Sequence, residues 1–263
     1  ILAADSSVDT FLYGGCARIK YSPNSAYEWN LNSLLASLVN SATYSAYNKF
    51  TIVGPAQRDV VNGVFQCRGD LSVPDCAACV AAAVARVGPL CPEACGGAVQ
   101  LEGCYVKYDN LSFLGVEDKA VAMKNCGPAV DGFAAAAEMS RRDAVLAALG
   151  YAGGSYRVGG AEAAEGVAQC VGDLSAAQCQ DCLTEAIRRL KQECGGASSG
   201  DMFLGKCYAR YTTGGAQNYR KSNHDSHSDS EKTFAIIIGL LAGVALLIIF
   251  LAFLGRIFNR NGE

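Results

Sequence analysis

Histidine is almost missing: the 263 residues contain two, His224 and His227, both in one polar run near the C-terminal end. The first 216 residues therefore lack the imidazole that a Ser-His-Asp or Cys-His arrangement uses to move protons near neutral pH. No pair of carboxylates stands out for acid/base work, so no catalytic residue is assigned and the chain reads as a non-enzyme. Basic residues are not in excess either, with 22 Lys plus Arg against 25 Asp plus Glu and a net charge of −3. With no basic face or stacking-aromatic motif, nucleic acid is excluded as a partner class.

Charge disappears altogether between Phe234 and Gly255 (FAIIIGLLAGVALLIIFLAFLG), a run of 22 residues. At about 1.5 Å of rise per residue it spans a hydrocarbon core of about 30 Å, so it reads as a transmembrane helix in the lipid bilayer. Every cysteine precedes it, while Arg256 and Arg260 follow it. Disulfides persist in oxidising compartments and positive charge stays inside, so the large N-terminal part is expected outside the cell, with a signal peptide removed before Ile1. The eight residues of 256–263 form a short cytoplasmic tail, too few to fold. Within the span, Ala235, Gly239 and Gly243 recur every four residues, a small-xxx-small series suited to close packing against a second copy, making the chain a homo-oligomer.

What is abundant is cysteine, 13 in all, and its arrangement repeats. CRGDLSVPDCAAC (67–79) is answered by CVGDLSAAQCQDC (170–182), an offset of 103 residues. The same offset carries Cys67, Cys76, Cys79, Cys91 and Cys104 onto Cys170, Cys179, Cys182, Cys194 and Cys207 without a gap. One further cysteine, Cys16 or Cys126, lies upstream of each block, so each unit has six. An internal duplication divides the chain into domains at 1–114 and 115–216, a polar stalk at 217–233, the span at 234–255 and the tail. Units this small are marginal on core burial alone and gain from cross-links.

The local pattern is α+β. Leu31, Leu34, Leu35, Leu38, Val39 and Ala42 line one face of a helix expected over Trp29 to Asn48, and Asp131 to Gly150 is its counterpart, with Gly150 placed as a C′ glycine. Ser72 and Ser175 stand as N-caps of a second helix in each unit, whose buried stripes are Val80, Val84 and Val87, then Leu183, Ile187 and Leu190. FTIVG, VNGVFQC, YRVG and EGVAQC suit strands, and AVQLEGCYVKYD and MFLGKCYARYT each alternate as one strand would. Helices packed on an antiparallel sheet follow as the economical architecture.

A C-x2-C pair is half of a zinc site, but the oxidising compartment, the missing histidines and the even count of six favour disulfides over a metal or a redox centre. No cofactor is called for. Six cysteines allow 15 pairings, and spacing does not choose among them. Arg68-Gly69-Asp70 spells an integrin-binding tripeptide, yet the second copy has Val171-Gly172-Asp173, so the shared part is a turn before the helix. Asn110-Leu111-Ser112 is a sequon for one N-glycan in a surface loop. His224 and His227 belong to the solvated stalk.

The C-x8-C-x2-C motif, the GDLS helix start and the CYxxY strand resemble the ginkbilobin-homologous, or salt-stress-response/antifungal, domain of land plants, in both units. The resemblance implies two helices on a five-stranded antiparallel sheet in each domain. It also implies the pairs Cys16–Cys91, Cys67–Cys76, Cys79–Cys104, Cys126–Cys194, Cys170–Cys179 and Cys182–Cys207, each contributing about 2 to 4 kcal/mol. Cys95 is left over, as a free thiol or in an intermolecular bond. The antifungal founding member binds mannose through Asn, Arg and Glu; Ala17, Ala98 and Asp109 stand at those positions in unit one, and Gly127, Asp201 and Thr212 in unit two.

Tandem domains ahead of one membrane span, without a kinase, are similar to the plasmodesmata-located proteins. That resemblance implies a type I plasma-membrane protein at plasmodesmata, its ectodomain apoplastic, regulating symplastic traffic through callose deposition, with roles in defence. Callose-synthesis machinery, receptor-like kinases and viral movement proteins are the implied partners. The alternative is a lectin-like, antifungal surface protein that binds cell-wall polysaccharide.

Overall fold

The computed structural model describes residues 7–132 and 135–213; the stalk, the span with Ala235, Gly239 and Gly243, both histidines and the tail lie outside the described residues. The first domain runs β1 (Phe11–Cys16), α1 (Ala26–Ala42), β2 (Tyr47–Ile52), β3 (Val61–Cys67), α2 (Val73–Leu90), β4 (Gly96–Leu101) and β5 (Cys104–Asp109). The second repeats it as β6 (Val121–Cys126), α3 (Ala135–Tyr151), β7 (Tyr156–Ala161), β8 (Ala164–Cys170), α4 (Ala176–Glu193), β9 (Ser199–Leu204) and β10 (Cys207–Thr213). The sheets are antiparallel with strand orders β1-β4-β5-β3-β2 and β6-β9-β10-β8-β7. Each therefore consists of two helices on a five-stranded antiparallel sheet.

Helix α1 starts at Ser25, whose hydroxyl accepts from the Glu28 N–H at 3.3 Å, and buries Leu31, Leu34, Leu38 and Ala42. It begins before Trp29 and stops at Ala42, because Tyr47 and Asn48 already belong to β2, paired with Gln66 and Phe65. Trp29 itself is exposed. The helix lies close to the sheet where Gly63 leaves room: a Cβ there would meet Leu34 Cδ2 at 2.5 Å, and one on Gly166 would meet Val145 Cγ1 at 2.6 Å. Ser72 caps α2 by accepting from Asp75 N–H, and Ser175 with Gln178 forms the full reciprocal box on α4. Val80, Val87, Leu183, Ile187 and Leu190 are buried beneath these helices, and Val84 partly so.

Two further sequence expectations are corrected. AVQLEGCYVKYD and MFLGKCYARYT are not single strands; each turns back at Glu102-Gly103 or Gly205-Lys206 into a hairpin whose arms pair Gln100 with Tyr105 and Phe203 with Tyr208. Strands β1 and β6 carry no sequence signal, because FLYGGC and VAMKNC are short edge strands with little alternation. Gly150 is not a C′ residue but lies inside α3. The carbonyls at that helix end are met instead by the buried Arg157, which donates to Leu149 O at 2.9 Å and Gly150 O at 3.3 Å.

This reassignment makes a prediction. A Cβ on Gly150 would find only Ile187 Cδ1, at 3.9 Å. Gly150→Ala is therefore expected to stabilise the fold by about 0.5–1 kcal/mol in urea denaturation, as alanine replacing a helical glycine does. A loss of stability would mean that this glycine terminates the helix after all.

Candidate functional site at the contact between the two domains

The disulfides join Cys16–Cys91, Cys67–Cys76 and Cys79–Cys104 in the first domain, and Cys126–Cys194, Cys170–Cys179 and Cys182–Cys207 in the second. The members of these pairs carry no free thiol to ligate a metal. Cys95 is the free cysteine and is packed in the first core at 6% exposure, where burial pushes its thiol pKa up. Among the described residues no group of three or more His, Cys, Asp or Glu side chains is arranged to hold a metal.

The duplicated GDL turns meet each other's domain. Gln66 Oε1 accepts from Gly172 N–H at 2.9 Å, and the equivalent Gln169 donates from Nε2 to Cys67 O at 2.9 Å. A Cβ on Gly69 would collide with the Tyr156 ring, and one on Gly172 would approach Tyr47 Cγ to 2.9 Å. Tyr47 and Tyr156 each open an edge strand, so each domain lays a tyrosine on the other's glycine across an approximate two-fold.

Away from that axis the two sides differ. On one, Arg68 grips Asp70 through Nε and Nη2 at 2.7 and 3.2 Å, and its Nη1 lies 3.1 Å from Glu102 Oε1. The same oxygen accepts from Arg210 Nη1 of the second domain at 2.6 Å, and Arg210 Nε reaches Asp201 at 2.6 Å. Charges thus alternate along Asp70–Arg68–Glu102–Arg210–Asp201, with the Glu102 side chain 8% exposed. Burial pulls the Arg68 pKa down, but the hydrogen bond and charge of Asp70, together with Tyr208 and Glu102, hold the guanidinium above its ordinary value. Arg210 lies over Phe203 at 5.6 Å, which stacks on Tyr208 and meets Tyr13 of the first domain edge-on.

On the other side Val171, the counterpart of Arg68, joins Val64, Tyr105 and Phe113 in an apolar cluster. Beside it Lys206 pairs with Asp173, both side chains fully buried, and Asp173 Oδ2 also accepts from Gly115 N–H at 2.9 Å. The Lys206 ammonium sits 4.9 Å from the Phe113 ring centre. Burial lowers its pKa and Asp173 opposes that shift. Burial, with the charge of Asp173 adding to it, pushes the Tyr47 hydroxyl up to about 12.

Between the two sides remains a cavity of about 30 Å³, lined among others by Gln66, Arg68, Gln100, Glu102, Gln169 and Tyr208. It has room for roughly two waters, whereas a small-molecule site takes about 300 Å³ or more. The contact is a closed joint rather than a ligand pocket. The Arg-Gly-Asp tripeptide is consumed in it and is not displayed.

The positions equivalent to the mannose triad do not converge as a donor set. Asp109 accepts from its own loop at Leu111 N–H, 2.9 Å away, next to Ala17 and Gly96, Ala98 pairs with Lys107 in the sheet, and Asp201 is engaged by Arg210. In the second domain, Gly127 packs on Ser199 and Thr212 pairs with it in the sheet. Asn110 lies just beyond β5, its N–H donating to Cys95 O at 3.0 Å and its neighbour Leu111 exposed.

Glu102 and Arg210, which link the domains, carried no sequence signal because neither repeats: their counterparts are Gly205 and Lys107. Gln66/Gln169 and Tyr105/Tyr208 do repeat at the 103-residue offset. Repetition outside the cysteines was the signal that could have found them.

Salt stress response/antifungal sequences match residues 15–111 and 134–214. Plasmodesmata-located protein 7 of Arabidopsis thaliana is 62% identical over 99% of this chain and 87% of its own length. Plasmodesmata-located protein 6 of the same plant is 54% identical over 98% and 92%. The crystal structure of the tandem DUF26 ectodomain of the Arabidopsis thaliana cysteine-rich receptor-like protein PDLP5 superposes with a TM-score of 0.75 at 47% identity, covering 78% of this chain and all of that one.

The ion chain gives the second prediction. Glu102→Ala leaves Arg68 and Arg210 facing each other in a buried joint, so it is expected to cost about 3 kcal/mol in chemical denaturation. Hydrogen exchange of the Gly172 amide should accelerate with it. An unchanged Gly172 amide would show that Glu102 does not hold the domains together.

Proposed function

The chain belongs to the salt stress response/antifungal family and, within it, to the plasmodesmata-located proteins, and from that membership we propose that it is a non-enzymatic, receptor-like protein of plasmodesmata that regulates cell-to-cell traffic. The observation that carries this reading is the 62% identity to plasmodesmata-located protein 7 across nearly the whole chain, including the segment beyond the two domains. The closed joint supports it physically. Two domains held as one compact unit, with no cavity large enough for a metabolite at their contact, suit recognition by surface rather than by pocket.

In this reading residues 234–255 cross the plasma membrane once and the ectodomain faces the apoplast. Ala235, Gly239 and Gly243 pack two spans together. Traffic is regulated through callose deposition, with defence and the docking of viral movement proteins as consequences. Receptor-like kinases and the callose-synthesis machinery are the partner classes. Asn110 carries the N-glycan of the ectodomain, its sequon lying in the loop after β5.

A fluorescent fusion expressed in leaf epidermis tests the location. Paired puncta across the wall that coincide with callose stain are expected, and a uniform plasma-membrane signal refutes the reading. On gels the protein should shift downward after peptide N-glycosidase treatment, and Asn110→Gln should abolish the shift.

A further inference from the structure

Each sheet ends in two edge strands, and three of these four edges are blunted against pairing with another chain. Strands β1 and β6 carry a register shift, between Phe11 and Tyr13 and between Val121 and Met123, the kind of bulge that spoils an edge as a template. Strand β2 holds the exposed Lys49 beside Val64. On β7 the equivalent place, beside Val167, is taken by Val158, which is 65% exposed. This strand has no register shift and no proline, and its one charged residue, Arg157, is buried and donates to Leu149 O and Gly150 O. The β7 edge is unguarded.

The hairpin sets which groups that edge presents. Ser155 O accepts from Cys170 N–H at 2.9 Å, so by alternation Arg157, Gly159 and Ala161 bond to β8, while Val158 and Gly160 turn their N–H and C=O groups away from it. Among the described residues no backbone bond from outside the sheet reaches either one. Gly159 is glycine for a reason within the chain, since a Cβ there would meet Val145 O of α3 at 3.1 Å. Gly160 is not: a Cβ would find only Ala164 O, at 3.9 Å. A strand glycine without an internal reason marks a place where something else approaches closely. On the helix side, Ala144, Ala148 and Tyr151 form one exposed, uncharged stripe of α3 above the same edge, with Ala148 Cβ 3.5 Å from a Cβ built on Gly159.

We propose that β7 of one copy pairs antiparallel with β7 of a second copy, about a two-fold axis at Val158, joining the two second-domain sheets edge to edge. In that register Val158 meets its own equivalent, Tyr156 stands opposite Gly160, and Arg157 stands opposite Gly159. Each of the two larger side chains thus faces a glycine, and the order Tyr-Arg-Val-Gly-Gly is complementary to itself. The Tyr156 ring keeps its seat on Gly69, because Gly160 opposite it has no side chain to compete for the space. The same pairing of β2 would set Lys49 against Lys49, and like charges directly opposed are destabilising. A contact of this kind is isologous and closes at two copies. It lies in the second domain, and it holds or fails independently of the cellular location proposed above and of any packing between spans.

Cross-linking of the full-length chain in isolated membranes tests it. Directly opposed Cα atoms of such a pair stand about 5.5 Å apart, within disulfide reach. Val158→Cys is therefore expected to give a disulfide-linked dimer under mild oxidation, about tenfold more than Val53→Cys at an exposed loop position of the first domain. Adding Gly160→Val should lower that yield about tenfold, by driving a branched side chain against Tyr156 of the other copy. Within its own chain this substitution meets nothing and suits a strand, so the fold persists, which unchanged non-reducing mobility before oxidation verifies. A Val158→Cys yield no higher than that of Val53→Cys overturns the contact, and a yield indifferent to Gly160→Val overturns the register. A cross-linked product whose mass is not twice that of the chain means that a different polypeptide lies along β7, and overturns the second copy as its occupant.

Discussion

Each domain depends on one turn of helix tied to two neighbouring strands. Cys76 and Cys79, three residues apart, share one face of α2, as Cys179 and Cys182 do on α4. Their partners Cys67 and Cys104 are directly opposed in the pairing of β3 with β5, and Cys170 and Cys207 are opposed in β8 with β10. The two bridges therefore fix strand register and helix position at once. A one-residue slip of either strand would break a disulfide and turn the core residues outward. The third bridge, Cys16–Cys91 or Cys126–Cys194, holds the edge strand to the far end of the same helix.

With the scaffold cross-linked in this way, the outer surfaces are free to diverge. The same turn that starts α2 and α4 contributes Gly69 and Gly172 to the joint, and these positions stay glycine because a tyrosine from the other domain occupies the space. Around that conserved geometry one side is built from alternating charges and the other from Val171, Phe113 and the buried Lys206–Asp173 pair. A buried ion pair adds little net stability but is costly to break, so both sides resist opening of the joint. The two domains are thereby held as one body whose faces stand in fixed relation.

Much of this architecture was legible in the sequence. The gapless 103-residue offset exposed the duplication, and the heptad-like spacing of Leu31, Leu34 and Leu38 identified the buried face of α1. The serines before α2 and α4 announced helix starts because a side-chain oxygen at the N-cap satisfies an orphan N–H. Other features were hidden for physical reasons. The Glu102-Gly103 and Gly205-Lys206 hairpins interrupt runs whose alternation continues through the turn, and Gly150 has the residue type of a helix stop while Arg157, seven residues on, supplies the groups that meet the helix end. Spacing left 15 pairings open among six cysteines.

By itself the sequence determined the duplicated unit, its two helix starts and an uncharged run long enough to cross a membrane, because each is written in local order and composition. Only the tertiary structure decided what the Arg-Gly-Asp turn does, where Glu102 and Arg210 meet, and that β7 lies at an open edge of its sheet. Those outcomes rest on groups from different domains, or on which strand the pairing leaves at the rim of a sheet. Neither distance between domains nor place in a sheet is encoded in spacing along one chain.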